Sequence, residues 1–284
     1  MKIALGTAQW GMNYGISNYN GIPNDLEIKG IIELAKINKI NYLDTASIYG
    51  NSEERIGKLN DLSFKITTKI SSNIIKDSIK NQVDNSIKKL KQKHIYGCLF
   101  HDTKSLVKNK SIWNQLKDEK DKGRIQKIGY SVYDVEELNI LLELNFIPDI
   151  IQLPYSCLDL KFESSLKKLK DLDVEIHARS IFLQGVYFFK KENLPKHLSM
   201  LEDGLSQMNK IKDYFNIKTL DLILHFVLKN KLIDKLVLGF ENKKQLNEII
   251  TSINKTEISD QISDSVKKIR LKNYKILNPS NWKN

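Results

Sequence analysis

Eight short apolar, β-branched runs, each followed by a longer amphipathic run, constrain this chain more than any other feature. The strand-like runs are KIALGTA (2–8), INYLDTA (40–46), FKITTK (64–69) and IYGCLFH (95–101). IQKIGYS (125–131), DIIQLP (149–154), VEIHARS (174–180) and DKLVLG (234–239) complete the set. Between them apolar residues recur at helical spacing over 25–38, 75–92, 111–123, 135–145, 162–172, 219–230 and 243–253. A last helix near 257–269 is expected to cap the domain. Strands this apolar need cover on both faces, which crossover helices supply. Eight such units in 284 residues, with no break in composition, predict a single (β/α)8 TIM barrel domain over 1–284. The rival, a doubly wound open sheet, should carry G-x-G-x-x-G after an early strand. LGTAQWGMNYG has glycines at the wrong spacing, so the barrel is favoured.

Composition narrows the function classes. The net charge of +11 invites a nucleic-acid reading, but lysines are scattered over nearly every polar segment. Only Arg55, Arg124, Arg179 and Arg270 are arginines, whereas phosphate and base recognition recruits arginine forks or a concentrated stripe. A nucleic-acid partner is therefore not expected. Cys98 and Cys157 have neither metal-ligand nor disulfide spacing, so no metal is expected. No apolar run is long enough to span a membrane, and Met1 leads straight into IALG without a signal-peptide pattern. Reduced thiols are the default for such cysteines, and a cytoplasmic protein is expected. Oligomeric state is not readable.

The stretch NYLDTASIYGNSEERIG (41–57) starts as a buried strand and ends as a helix, with Asp44 and Tyr49 at the junction. Lys69 ends the third strand and His101 the fourth. Singly, each has an ordinary reading: a turn or cap aspartate, a rim tyrosine, a snorkelling lysine, a satisfied histidine. In a barrel all four project to one rim, at the C-terminal ends of adjacent strands, where reactive side chains collect. A tyrosine has a reference pKa of ~10 and needs a neighbouring cation to become a better acid. Lys69 supplies the cation, Asp44 its counter-ion, and His101 a donor to a carbonyl oxygen. Such a site suits carbonyl reduction, for which a cofactor must bring the hydride.

These residues resemble the aldo-keto reductase superfamily. Its aspartate, tyrosine, lysine and histidine tetrad falls on Asp44 and Tyr49 of LDTASIYG, Lys69 of ITTK and His101 of LFHD, and the likeness runs from LGTAQWG past VLG. The resemblance implies reduction of a small carbonyl substrate with NADPH, NADH not being excluded. It implies that Ser131 and Gln152 bind the nicotinamide carboxamide and that Arg179 stacks on the ring. Ser180, Phe182 and Gly185 of SIFLQG would contact the pyrophosphate. Many members hold the 2'-phosphate of NADPH with a lysine and an arginine whose places are taken here by Gly239 and Gln245. Lys243 or Lys244 would then substitute, or helix-start backbone donors would receive the phosphate.

Trp10 and Met12 after the first strand, and Tyr155 after Gln152, are expected in the substrate pocket. Trp282 either closes that pocket or docks the chain end. A plug of the barrel floor by a segment ahead of KIALG is not expected. The branch resembled is that of reductases associated with bacterial surface-polysaccharide gene clusters, which suggests a keto-sugar or sugar aldehyde. The alternative is a nucleotide-binding regulatory or structural barrel with little or no turnover.

Overall fold

A computed structural model describes residues 1–59, 63–74, 77–255 and 257–282. The chain opens with β1 (Ile3–Gly6), a one-turn α1 (Ala8–Gly11), α2 (Asp25–Ile37), β2 (Tyr42–Asp44) and α3 (Ser52–Leu59). β3 (Lys65–Ile70), α4 (Ile79–Leu90), β4 (Ile95–Phe100), α5 (Lys104–Lys108), α6 (Ser111–Asp121) and β5 (Ile125–Ser131) follow. Then come α7 (Val135–Glu143), β6 (Ile150–Pro154), α8 (Glu163–Asp171) and β7 (Glu175–Arg179). α9 (Glu202–Tyr214), α10 (Thr219–Lys229), β8 (Lys235–Gly239), α11 (Lys243–Ile253) and α12 (Asp260–Lys267) complete the order.

All eight strands pair in parallel with their sequence neighbours, and β8 closes on β1 through Ile3↔Leu236 to Gly6↔Gly239. This is the expected (β/α)8 barrel. Helix starts follow local chemistry: Asn24, Ser78, Asn242 and Ser259 each accept a first-turn N–H on the side chain. The helix expected over 75–92 thus begins at Ile79, behind the Ser78 cap, and residues 75–76 lie outside the described ones.

Side chains along each strand alternate between the barrel interior and the helical layer. The interior parity is marked by Gly97 and Gly129. A Cβ on Gly97 would stand 2.6 Å from Thr67 Oγ1 and 2.9 Å from Ile150 Cδ1, and one on Gly129 3.2 Å from Leu99 Cδ2. Counting in twos from these interior residues reaches Lys69, His101, Ser131 and Gln152 at the strand ends. The same face of β2 ends on Asp44 and that of β7 on Arg179. Strand parity therefore collects the polar strand-end residues at one mouth of the barrel.

The opposite mouth is closed by charge. Glu175 accepts from Tyr96 Oη at 2.8 Å and Lys127 Nζ at 2.7 Å, with His177 Nε2 at 2.8 Å. Burial pushes its carboxyl up, but bonds from His177, Lys127 and Tyr96 hold it well below the usual carboxylate range.

The segment between β7 and β8 holds more than the sequence suggests. Besides α10, in which Leu222 to Val227 are all buried, it contains α9. Gly204 sits inside α9. That glycine admits a close neighbour, since a Cβ there would lie 2.4 Å from Leu271 Cδ2. α12 packs against α9 on the barrel's side, so the C-terminal helix covers the wall.

Candidate active site

Asp44 ends β2 at 2% exposure and organises the site. Its Oδ1 accepts from Lys69 Nζ at 2.6 Å, and its Oδ2 from Gln152 Nε2 at 2.7 Å. Lys69 also donates to the Thr45 carbonyl at 2.9 Å. At 1% and 3% side-chain exposure, neither charge of this pair could be left alone without a large desolvation cost. Gln152 spends its amide N–H on the carboxylate, and its oxygen accepts from no protein group among the described residues.

Tyr49 is carried by a tight turn leading into α3. That turn lies on the end of α1: a Cβ on Gly11 would stand 1.9 Å from the Tyr49 carbonyl, and one on Gly50 2.0 Å from the Gly11 carbonyl. Gly50 also has φ +54°, which suits glycine. Because the obstacle at Gly11 is backbone, Gly11→Ala should cost ~1–3 kcal/mol and displace Tyr49. Urea unfolding of the variant checks the first, and its turnover the second.

The Tyr49 ring meets the His101 ring edge-on at 5.7 Å, and Lys69 Nζ stands 5.3 Å from its centroid. Burial and the Asp44 carboxylate push the phenol above its ordinary pKa, with Arg179 opposing. The expected lowering by Lys69 and Asp44 is thus reversed in the free protein. Lys69 is paired with Asp44 at 2.6 Å and its Nζ stands 5.3 Å from the ring centroid, so the carboxylate offsets much of its positive field at the phenol. Tyr49 rests fully protonated.

His101 is driven the other way. Burial, then Lys69 and Arg179, lower its pKa to about 3, and its Nδ1 is buried without a partner. The imidazole is neutral near pH 7 and has one N–H to direct at an oxygen. Unfolding exposes a histidine that binds a proton below ~6.5, so this group's contribution to stability is complete above that pH. It is lost progressively as pH falls toward about 3. His101→Gln should therefore flatten the acid limb of a stability–pH profile between those limits, as measured by urea titrations at several pH values.

Asp44, Tyr49 and His101 line a cavity of about 540 Å³, with Lys69 behind them. Along its wall Arg179 donates to the Val132 carbonyl at 2.9 Å and to Ser131 Oγ at 3.3 Å. The guanidinium stacks 3.9 Å above the Tyr133 ring. Ser180, Phe182, Gln184 and Gly185 extend the wall beyond β7. The loop after β1 crosses to meet them, Ser17 Oγ donating to the Gln184 carbonyl at 3.1 Å. Gly185, at φ +87°, makes room, since a Cβ there would lie 1.9 Å from Ser17 Oγ. The far end of the cavity reaches Gly239, Phe240, Glu241, Gln245 and Glu248.

The sequence profile of the Aldo/keto reductase family matches residues 2–270. The chain belongs to that family. The holo form of an aldo-keto reductase from Bacillus halodurans superposes with a TM-score of 0.75 at 17% identity, over 94% of this chain and 91% of its own. A glycerol dehydrogenase from Gluconobacter oxydans gives a TM-score of 0.73 at 20% identity, over 94% and 90%. Likeness at these identities shows the shared fold. A search of curated proteins returned no significant match. Membership supports carbonyl reduction with a nicotinamide cofactor, and the cavity has the size of a small-molecule cleft. No helix among the described residues is long and apolar enough to cross a membrane.

In this aldo/keto reductase Met12 lines the cavity, but Trp10, Tyr155 and Trp282 do not. Trp10 is fully buried and donates Nε1 to the Phe240 carbonyl at 3.2 Å, tying the β1 loop to the β8 loop. Tyr155 stacks on Phe226, donates to Glu163 and accepts from Asn230 Nδ2 at 3.0 Å. Trp282 donates to the Ile276 carbonyl at 2.7 Å, docking the chain end. A large aromatic near a strand end serves core or rim equally well, and only packing decides which. Gln9, Tyr14, Tyr133 and Glu241 line the cavity without having been expected. Tyr133 carried a usable signal, standing two residues beyond Ser131 on the inward parity.

Proposed function

We propose that this aldo/keto reductase reduces an aldehyde or ketone, of the keto-sugar or sugar-aldehyde class, to the alcohol in the cytoplasm. The carrying observation is the convergence of Tyr49, His101 and the buried Asp44–Lys69 pair on one cavity. A nicotinamide nucleotide, when bound, would supply the hydride needed at the carbonyl carbon. Tyr49 gives its hydroxyl proton to the carbonyl oxygen as negative charge develops there, and neutral His101 donates its N–H to the same oxygen. Lys69 and Asp44 hold the local charge balance and the turn that bears Tyr49. Among groups able to hold the nucleotide, Ser131 and Gln152 suit the carboxamide and the Arg179 plane suits the ring face. Ser180, Phe182 and Gly185 suit the pyrophosphate. A sugar is supported by the polar groups that share the cavity, Gln9, Tyr14 and Tyr133. Reduced-nucleotide consumption by the wild type, screened over aldehydes, ketones and sugars, tests the reading. Sugar carbonyls should rank first, and nucleotide binding without turnover on any of them would turn the reading toward a regulatory barrel.

A further inference from the structure

The cavity end formed by the β8–α11 loop carries the wrong charge for a 2'-phosphate. Its wall there includes the carboxylates Glu241 and Glu248 and no lysine. Glu241 is held at 9% exposure, its Oε2 accepting from Asn20 Nδ2 at 3.0 Å and its backbone N–H donating to Gln245 Oε1 at 2.8 Å. The Gln245 oxygen is thereby spent on pinning the loop, and the side chain brings no positive charge to it. Lys243 is outside the cavity wall: its stem lies against α2, with Cδ 3.6 Å from where a Cβ on Gly30 would stand. Lys244 is exposed and also outside that wall.

The first turn of α11 offers a phosphate little either. The Lys243 N–H donates to Glu27 Oε1 of α2, and the Gln245 N–H to Asn242 Oδ1. A helix start attracts anions through free N–H groups, and two of those here already have carboxylate or amide partners. Both means of taking a phosphate, a cation and free backbone donors, are thus weakened at one place. What replaces them is an acceptor. Glu241 Oε1 accepts from no protein group among the described residues, and a ribose presents hydroxyl donors.

We propose that Glu241 makes this protein select NADH over NADPH, accepting a hydrogen bond from the adenosine ribose hydroxyls and repelling a 2'-phosphate. This inference rests on the nicotinamide-dependent reading above and replaces the sequence expectation of NADPH. A phosphate dianion near a largely desolvated carboxylate is repelled strongly enough to separate the two nucleotides by ~10–100-fold in affinity.

Calorimetric titration of the full chain with NADH and NADPH, in the absence of substrate, tests it. The wild type should bind NADH at least ~10-fold more tightly. Glu241→Gln keeps the shape and the Asn20 contact and should narrow the ratio to within ~3-fold, chiefly by improving NADPH. Lys243→Ala should leave both affinities unchanged. Equal or tighter NADPH binding by the wild type overturns the inference, and so does a ratio that Glu241→Gln does not move. Failure of both nucleotides to bind would overturn the reductase reading itself, a result distinct from either.

Discussion

Tyr49→Phe should lower turnover by ~10²–10⁴-fold while leaving nucleotide affinity within a factor of about two. The phenol oxygen makes no hydrogen bond to the protein among the described residues, so its removal should change stability by less than ~1 kcal/mol. What is lost is the hydroxyl of a ring that meets His101 edge-on at 5.7 Å. The phenol's raised pKa sharpens the expectation. A group that holds its proton throughout the neutral range is present as an acid at every working pH. The rate of reduction should therefore show no loss attributable to Tyr49 ionisation up to pH ~9–10, the lower edge of an ordinary tyrosine's titration. Stopped-flow reduction of the best carbonyl substrate, with both proteins, decides the matter. A variant retaining a third or more of the wild-type rate would remove Tyr49 as proton donor.

Asp44→Ala should destabilise the fold by ~3–5 kcal/mol, more than any other single change considered. It strips the counter-ion from an ammonium that is 1% exposed and leaves the Gln152 amide N–H unpaired in the same place. Lys69→Met is the complementary test, leaving a buried carboxylate that still accepts from Gln152. The double change Asp44→Asn with Lys69→Met should recover much of either loss, because it removes both charges together. Urea denaturation of the wild type, Asp44→Asn, Lys69→Met and the double variant measures the coupling. Additive losses would mean that the two charges do not depend on each other, contrary to the 2.6 Å contact. Turnover should not return with stability in the double variant, since the charge balance around Tyr49 would remain altered.

How much of this was legible beforehand follows the range of the interactions involved. The eight strands could be read locally, because parallel strands covered on both faces need continuous apolar runs. Their closed order followed from the count. Asp44, Lys69, His101, Ser131 and Gln152 could be placed at one mouth because strand-end position and period-two parity are local properties. The helix α9 could not, since its Gly204 is explained by Leu271 and Leu158, both far along the chain. Trp10 and Tyr155 were misplaced for a similar reason: an aromatic beside a strand end does not reveal its partner, here the Phe240 carbonyl and the Phe226 ring.

The loops set the boundary most clearly. That Tyr49 belongs with Asp44, Lys69 and His101 was visible in the order of residues. That its phenol is pushed up rather than down depends on its burial and on the Asp44 carboxylate nearby, neither of which residue spacing reports. Glu241 was an unremarked acid in the sequence, and Lys243 looked like a phosphate ligand. The turn from β8 into α11 brings Glu241 to the cavity wall, while Glu27 of α2 takes the Lys243 N–H and the lysine stem rests beside Gly30. The sequence by itself determined the barrel and the set of reactive groups at its mouth, because apolar pattern and strand parity act over a few residues. Only the tertiary structure decided the charge state of those groups and the sign of the field at the nucleotide's far end. Both depend on side chains brought within a few ångströms from opposite ends of the chain.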